Sequence, residues 1–404
     1  MYNVLLINVD ELWLKGKNRP VYFKAIREHI RELIKAYHSD QFSCLTEDQR
    51  IVTESETPFS DETIAALLNI PGIHSILPSR QIPSDIDALE KEVIEELSLP
   101  GALDGISSFK VETRRSYKGF PFTSMEVSSR IGEGILNTFP HLKAEMRNAQ
   151  LKVEIRIMKS NIYAATRKLP AIGGLPAGTG GHLISLISGG FDSPVASYLM
   201  AKRGCRQSFI FFYAYPFVGD EVKKKIIQLV SILGKFQRHS RLYVVPFGNI
   251  QDQIAKQCDI DYRTLLFRKA MIRCATLLAQ RINADGLLTG DALGQVSSQT
   301  VWNMAALNQA TTLPIFRPLS GFNKIEIIQL AKRIGTHDVS VIPHDDACSL
   351  FAPKHPVIKP SSSYLEKFDT RVPLDDLLKN ALNESEVYDI SITGEVQKSK
   401  EIKS

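Results

Sequence analysis

With 404 residues, 44% of them hydrophobic and 23% charged, the chain has the composition of an ordinary folded protein, long enough for two or three domains. The formal net charge of +5 permits nucleic-acid binding without requiring it. The longest apolar stretch, Phe209 to Val218, is well short of the ~20 residues that span a bilayer, so no membrane partner is expected.

Met1–Asp10 carries no basic leader and reads as no signal peptide. Cys44, Cys205, Cys258, Cys274 and Cys348 are scattered and form no Cys-x-x-Cys pair. That distribution excludes a disulfide framework and the usual zinc spacings, and a reducing cytoplasm is the expected setting.

Val4 to Val9 predicts a strand. A helix follows with Phe23, Ile26, Ile30, Leu33, Ile34 and Tyr37 on one stripe, and the residues around Cys44 to Thr53 fit a strand pair. Glu56–Ser60 reads as a hinge before a helix from Asp61 to Asn69, so a small α+β module is expected over residues 1–58. A second module, 59–168, combines a helix from Asp85 to Leu97, a strand from Phe109 to Thr113 and a helix from Ser124 to Leu136. It closes with strands Leu151–Met158 and Asn161–Thr166. Between them lies a basic and aromatic loop containing Arg114, Arg115, Tyr117 and Lys118; Lys15 and Lys17 form another basic stretch near the N-terminus. Arg114, Arg115 and Lys118 each fit a solvated surface as well as they fit RNA contact. Residues 169–181, rich in Gly and Pro, read as a linker.

Residues 182–375 alternate strand and helix patterns: strands at Ser208–Tyr213, Arg241–Pro246 and Gly286–Thr289, and helices at Glu221–Leu233 and Tyr262–Arg281. This predicts an α/β doubly wound parallel sheet with ligands beyond the carboxyl ends of the strands. At its start the apolar run Leu183–Ile187 meets Ser188-Gly189-Gly190-Phe191-Asp192-Ser193, and a helix opens at once with Pro194 in its first turn. Gly189 and Gly190 are expected to take backbone angles closed to other residues, and Asp192 or Ser193 to cap the helix. A strand, a glycine loop and a helix N-terminus make an anion site. Neither of the common phosphate-loop patterns is present. Residues 376–404 alternate charged and small polar groups and read as a frayed tail.

Two further stretches carry chemistry. Leu288–Thr300 turns on Gly290 and offers the amide of Gln299 to a pocket. Pro343–Pro356 sets Cys348 in a polar loop, where Lys354, His344 and His355 favour a thiolate while Asp345 and Asp346 oppose it. A His/Asp/Cys metal site competes but lacks a second cysteine nearby, so no protein metal site is expected.

Ser-Gly-Gly-x-Asp-Ser between a strand and a helix resembles the PP-loop ATP pyrophosphatases, which split ATP into AMP and pyrophosphate. Together with Thr-Gly-Asp-Ala-Leu-Gly-Gln-Val-Ser-Ser-Gln-Thr (289–300), Arg-Pro-Leu (317–319) and Pro-His-Asp-Asp-Ala-Cys (343–348), the chain strongly resembles the tRNA 4-thiouridine synthetases, the ThiI tRNA sulfurtransferases. The resemblance spans nearly the whole length and implies a ferredoxin-like module, a THUMP RNA-binding module and a PP-loop domain. It implies that ATP adenylates O4 of a tRNA uridine and that a protein persulfide replaces AMP with sulfur. It further implies sulfur delivery to a ThiS-type carrier for thiamine. Carried over by motif, the ATP site takes Leu186, Ile187, Ser188, Gly189, Gly190, Ser193, Phe211, Phe212, Arg268, Gly290 and Gln299. Asp192, Lys324 and Cys348 become the catalytic residues, with ATP and Mg2+ as cofactors. Lys15, Lys17, Arg114, Arg115 and Lys118 are candidate tRNA contacts. The chain stops without the rhodanese domain of some members, so a separate cysteine desulfurase is the expected sulfur donor; self-association as a homodimer stays open. Ala347 stands where some relatives have a second cysteine. The alternatives are an RNA-binding protein with a vestigial PP-loop, or another PP-loop adenylating enzyme such as an amidotransferase.

Overall fold

The computed structural model describes residues 2–159, 161–343, 353–372 and 374–399. They form two compact units, Met1–Gly174 and Leu175–Ser404.

The first unit is built on strands β1 (Val4–Val9), β2 (Phe42–Glu47), β3 (Arg50–Ser55), β4 (Ile73–Ile82), β5 (Ser108–Arg115), β6 (Lys143–Ala144), β7 (Leu151–Ile157), β8 (Ile162–Ala165) and β9 (Leu169–Pro170). They join in one sheet of order β2-β3-β1-β4-β8-β7-β5-β6, with β9 beside β4. Strands β2 and β3 form a two-residue hairpin in which Asp48 and Gln49 both have positive φ, 47° and 60°. That is the geometry whose twist suits tightly connected strands. The helix Arg19–Tyr37 buries Ile26, Ile30, Leu33 and Ile34, the stripe read from the sequence.

Strand β4 joins the two halves of this sheet: residues 73–79 pair with β1, and Arg80–Ile82 pair with β8. No strand is assigned here from the sequence, and Pro78 argues against an interior one. The strand tolerates Pro78 where it changes partner, since on the β8 side the ladder begins only at Arg80. The helix Asp61–Leu67, capped by Ser60, packs on the helix Arg19–Tyr37, and the Phe59 N–H donates to the Tyr2 carbonyl at 2.9 Å. The helices Ile86–Leu97 and Ser124–Thr138 are held at their starts by Asp85 and by a Thr123/Glu126 capping box. They cover one face of β5 and β7 with Leu89, Val93, Ile131 and Ile135 against Val153 and Ile155.

The second unit contains β10 (His182–Leu186), β11 (Arg206–Tyr213), β12 (Ser240–Pro246), β13 (Gly286–Leu288), β14 (Ile315–Phe316), β15 (Glu386–Ile390) and β16 (Val396–Lys398), in the order β14-β13-β10-β11-β12-β15-β16. The pairings among β10 to β14 are all parallel. From β10 the chain runs outward first through β11 and β12, then on the other side through β13 and β14. The sheet therefore reverses direction between β10 and β13, and a crevice opens where the loops after these strands diverge. The Ser188–Ser193 loop follows β10, and the Gly290 turn follows β13.

The frayed C-terminal tail is corrected by the structure. Helix Leu374–Asn383 buries Leu374, Leu378, Ala381 and Leu382, and β15 pairs antiparallel with β12 from Ser240↔Ile390 to Val244↔Glu386. The leucines recur at helical spacing, but the intervening acidic and basic residues mask the stripe. An antiparallel strand closing the edge of a parallel sheet also breaks the βα rhythm on which the reading relied.

Candidate functional site

Ten of the eleven residues expected to bind ATP line one cavity of about 290 Å3: Leu186, Ile187, Ser188, Gly189, Ser193, Phe211, Phe212, Arg268, Gly290 and Gln299. Gly190 does not line it, and its carbonyl accepts a bond from Ser340 Oγ at 3.3 Å. Asp192 lines the same cavity, as do Val218, Val222, Thr264, Met271, Thr289, Asp291, Val296 and Ser298, which the sequence reading did not single out.

The loop is closed by its own ends. Ser193 Oγ accepts the Ser188 N–H at 2.8 Å and lies 3.0 Å from Ser188 Oγ. Ser193 is thereby a clasp rather than a helix cap: the helix Asp192–Lys202 starts after Phe191 with no side-chain cap bond. Gly189 and Gly190 also depart from expectation, since neither has a positive φ. Gly190 has room around it, since a Cβ placed there meets nothing within 4 Å among the described residues. Gly290 is the reverse case. A Cβ there would stand 2.5 Å from the Ser193 nitrogen and 2.8 Å from the Asp192 carbonyl carbon, so the turn after β13 presses directly on the start of the helix. First-turn N–H groups lack an intrahelical acceptor, so this end of the cavity is suited to an anion.

Lys324 opens the helix Lys324–Ile334, whose start is fixed by an Asn323/Glu326 capping box. A lysine in the first turn opposes the helix dipole, so local helix stability does not account for it. Its Nζ lies 2.8 and 3.1 Å from the two Asp192 oxygens and 5.3 Å from the Phe191 ring centroid. Gln295 Nε2 donates to Asp192 Oδ2 at 3.0 Å. A fixed cation thus stands beside the loop.

Asp291 is only 4% exposed, and it is the largest omission of the sequence reading. It accepts bonds from Arg268 Nη2, from Thr289 Oγ1 at 2.9 Å and from Arg317 Nε at 3.2 Å. Burial opposes its ionisation, but Arg268, the Thr289 hydroxyl and Arg317 outweigh it and hold the carboxyl below its ordinary value. It stands within the motif Thr289–Thr300, which gives it no role from the sequence alone; its partners come from three separate segments.

No group of three or more His, Cys, Asp or Glu that could hold a metal is present among the described residues. Cys348 lies outside the described residues, so its surroundings are not part of this geometry. The other four thiols are all pushed up, chiefly by burial: Cys44 and Cys258 to about 11, Cys274 to about 12, and Cys205 upward as well. None of them is poised as a thiolate.

The basic candidates separate. In the first unit Arg114 and Arg115 share a cleft of about 210 Å3 with Arg50, Arg156, Asp48 and Ser116. The parallel register Arg114↔Arg156 brings two of these arginines together, and the hairpin turn brings Asp48 and Arg50. Arg156 pairs with Glu154 at 2.8 Å and Arg114 with Glu112 at 2.9 Å. Arg115 donates to the carbonyls of Phe120 (3.2 Å) and Phe122 (2.6 Å), so it also organises its loop. Among the described residues Arg50 Nη1 and Arg156 Nε are buried without a hydrogen-bond partner. Burial first, then the neighbouring Arg156, lowers Arg50 to about 10, which marks positive charge not fully balanced by the fold. Arg50 and Arg156 were missed because strand register, not local spacing, assembles the group. Lys15, Lys17 and Lys118 do not line this cleft; Lys15 Nζ lies 5.0 Å from the Tyr22 ring centroid, and Lys17 and Lys118 are exposed.

Residues 178–374 match the family described as Thiamine biosynthesis protein (ThiI), residues 84–166 match the THUMP domain, and residues 4–76 match the ThiI ferredoxin-like domain. A probable tRNA sulfurtransferase of Halothermothrix orenii is 37% identical over 397 residues, spanning 96% of this chain and 99% of its own. One from Clostridium kluyveri is 35% identical over 392 residues, spanning 96% and 100%. The crystal structure of a 4-thiouridine synthetase–RNA complex with bound ATP is similar with a TM-score of 0.88 at 30% identity, covering 97% of this chain and all of the other.

Proposed function

The chain belongs to the ThiI family of tRNA sulfurtransferases, and on that premise we propose that it adenylates O4 of a tRNA uridine with ATP and exchanges the adenylate for sulfur. The observation that carries this reading is the Lys324–Asp192 pair set against the Ser188–Ser193 loop at the sheet's reversal point. Uridine O4 attacks the α-phosphorus and pyrophosphate leaves. Loop and first-turn N–H groups receive the phosphates, Arg268 in the lining of the same cavity adds positive charge, and Lys324 supplies positive charge where negative charge develops. Phe211, Phe212 and Met271 provide apolar surface for the base.

Asp192 is the carboxylate of this loop that would hold a Mg2+ ion, which would offset phosphate charge. Both of its oxygens accept from Lys324, so Lys324 and the ion would share this carboxylate.

A persulfide on Cys348, loaded by a cysteine desulfurase, then attacks C4 and AMP departs. Freeing the thiouridine cleaves the S–S bond and consumes two electrons from an external thiol. The raised pKa values of the other four cysteines favour Cys348 for this role. The same persulfide would serve a ThiS-type carrier. RNA phosphates are proposed to fill the Arg50/Arg114/Arg156 cleft, with Lys15, Lys17 and Lys118 as further surface cations.

The test is Cys348→Ser. It should retain ATP-dependent pyrophosphate release with unmodified tRNA and lose 4-thiouridine formation. Thiolation at the wild-type rate would place the sulfur elsewhere.

A further inference from the structure

Arg317 has no place in the chemistry above. It does not line the cavity, yet its side chain is only 10% exposed and is directed at the buried carboxylate of Asp291. The charges around that carboxylate do not balance. Arg268 and Arg317 both pair with Asp291, and neither forms an ion pair with another carboxylate among the described residues. The three side chains are 17%, 10% and 5% exposed, so among the described residues one excess positive charge is largely buried. Arg317 Nη2 is moreover buried without a hydrogen-bond partner among the described residues. A pair built only for stability would need one arginine. The second adds a desolvated charge that costs folding energy unless an anion comes to meet it.

The cluster is also mechanically tied to the loop. Asp291 directly follows Gly290, where an added Cβ would stand 2.5 Å from the Ser193 nitrogen. Arg268 is held at two points, by Asp291 and through Nη1 to the Ser298 carbonyl at 3.1 Å, so its guanidinium has a fixed aim.

Resting on the reading of this cavity as a nucleotide site, we propose that Arg317 is a positioning residue for ATP: by occupying one side of Asp291 it keeps Arg268 incompletely neutralised and available to a nucleotide phosphate. Arg268 is the member that touches the ligand. Asp291 sets its orientation, and Arg317 sets how much of its charge Asp291 absorbs. Without Arg317 the carboxylate turns its full charge on Arg268, and the buried cluster becomes a neutral pair.

This gives a signature that a structural salt bridge would not. Arg317→Met should leave the melting temperature unchanged or higher, because it removes an excess buried charge, while weakening ATP binding about tenfold by calorimetry. Arg317→Lys, which restores the charge, should bind ATP within about threefold of wild type. Asp291→Asn, which releases both arginines, should lower the melting temperature. Wild-type affinity in Arg317→Met, or a loss in Arg317→Lys as large as in Arg317→Met, would overturn the inference while leaving the nucleotide reading intact. A wild-type protein that binds no ATP would overturn both.

Discussion

Gly290→Ala probes the contact on which the site geometry depends. The added methyl would lie 2.5 Å from the Ser193 nitrogen, 2.8 Å from the Asp192 carbonyl carbon and 2.8 Å from Ser193 Cα. All three are backbone atoms, so no side chain can rotate away; the turn after β13 or the start of the helix Asp192–Lys202 must move by several tenths of an ångström. Overpacking of this kind costs about 1–3 kcal/mol. In a unit of this size each kcal/mol corresponds to about 2–4 °C in melting temperature. The displacement falls on the N–H groups proposed to receive the phosphates, where a shift of about 1 Å costs on the order of a hundredfold in rate. Gly190→Ala is the matched control, with nothing within 4 Å of its new Cβ and no positive φ to strain. Differential scanning fluorimetry with and without ATP, alongside pyrophosphate release, separates the two. Gly290→Ala should melt several degrees early even without ATP and lose most turnover, whereas Gly190→Ala should melt like wild type without ATP. A Gly290→Ala protein with wild-type stability and turnover would refute the packing argument.

Lys324→Gln should lower turnover by about a hundredfold or more, with a much smaller change in ATP affinity, because its charge is assigned to the transition state; a pure KM effect in pyrophosphate-release kinetics would contradict that role. Arg50→Ala should weaken tRNA binding and reduce the salt slope of log K by about one unit, as read by anisotropy titrations at several salt concentrations, with no effect if the cleft does not meet phosphate. Folded protein alkylated briefly with iodoacetamide near pH 7.5 should be modified at Cys348, because Cys44, Cys258 and Cys274, with pKa values of about 11, 11 and 12, stay protonated until far higher pH. Mass spectrometry showing Cys274 modified as fast as Cys348 would contradict this.

What could be read from the sequence follows how locally each feature is encoded. Strand, glycine loop and helix are consecutive between Leu183 and Lys202, so the loop and its place in a parallel sheet were legible from one window of the chain. Asp291 was not, because its meaning depends on Arg317, which follows β14, and on Arg268 of the helix Arg263–Arg281, both distant in sequence and joined to it only in the fold. The arginine cleft was half legible: Arg114 and Arg115 stand out as neighbours, whereas Arg50 and Arg156 join them through a hairpin turn and a parallel register. Strand β4 contains Pro78, which argues against an interior strand, and the C-terminal helix was hidden by the charges between its leucines. Both are cases in which tertiary pairing overrides a local signal. Cap chemistry misled at Ser193, since its hydroxyl is spent on closing the loop.

The central claim is that ATP is spent on activating the tRNA uridine itself. The direct measurement uses ATP labelled at the α-phosphate, unmodified tRNA and the full chain, with no sulfur donor, followed by separation of RNA from free nucleotide. The account predicts label travelling with the tRNA as an adenylate, absent with Asp192→Ala, and released as AMP when a cysteine desulfurase and cysteine are added and 4-thiouridine appears. Thiouridine formed with no labelled tRNA at any time, and with ATP cleaved to ADP rather than AMP, would contradict it.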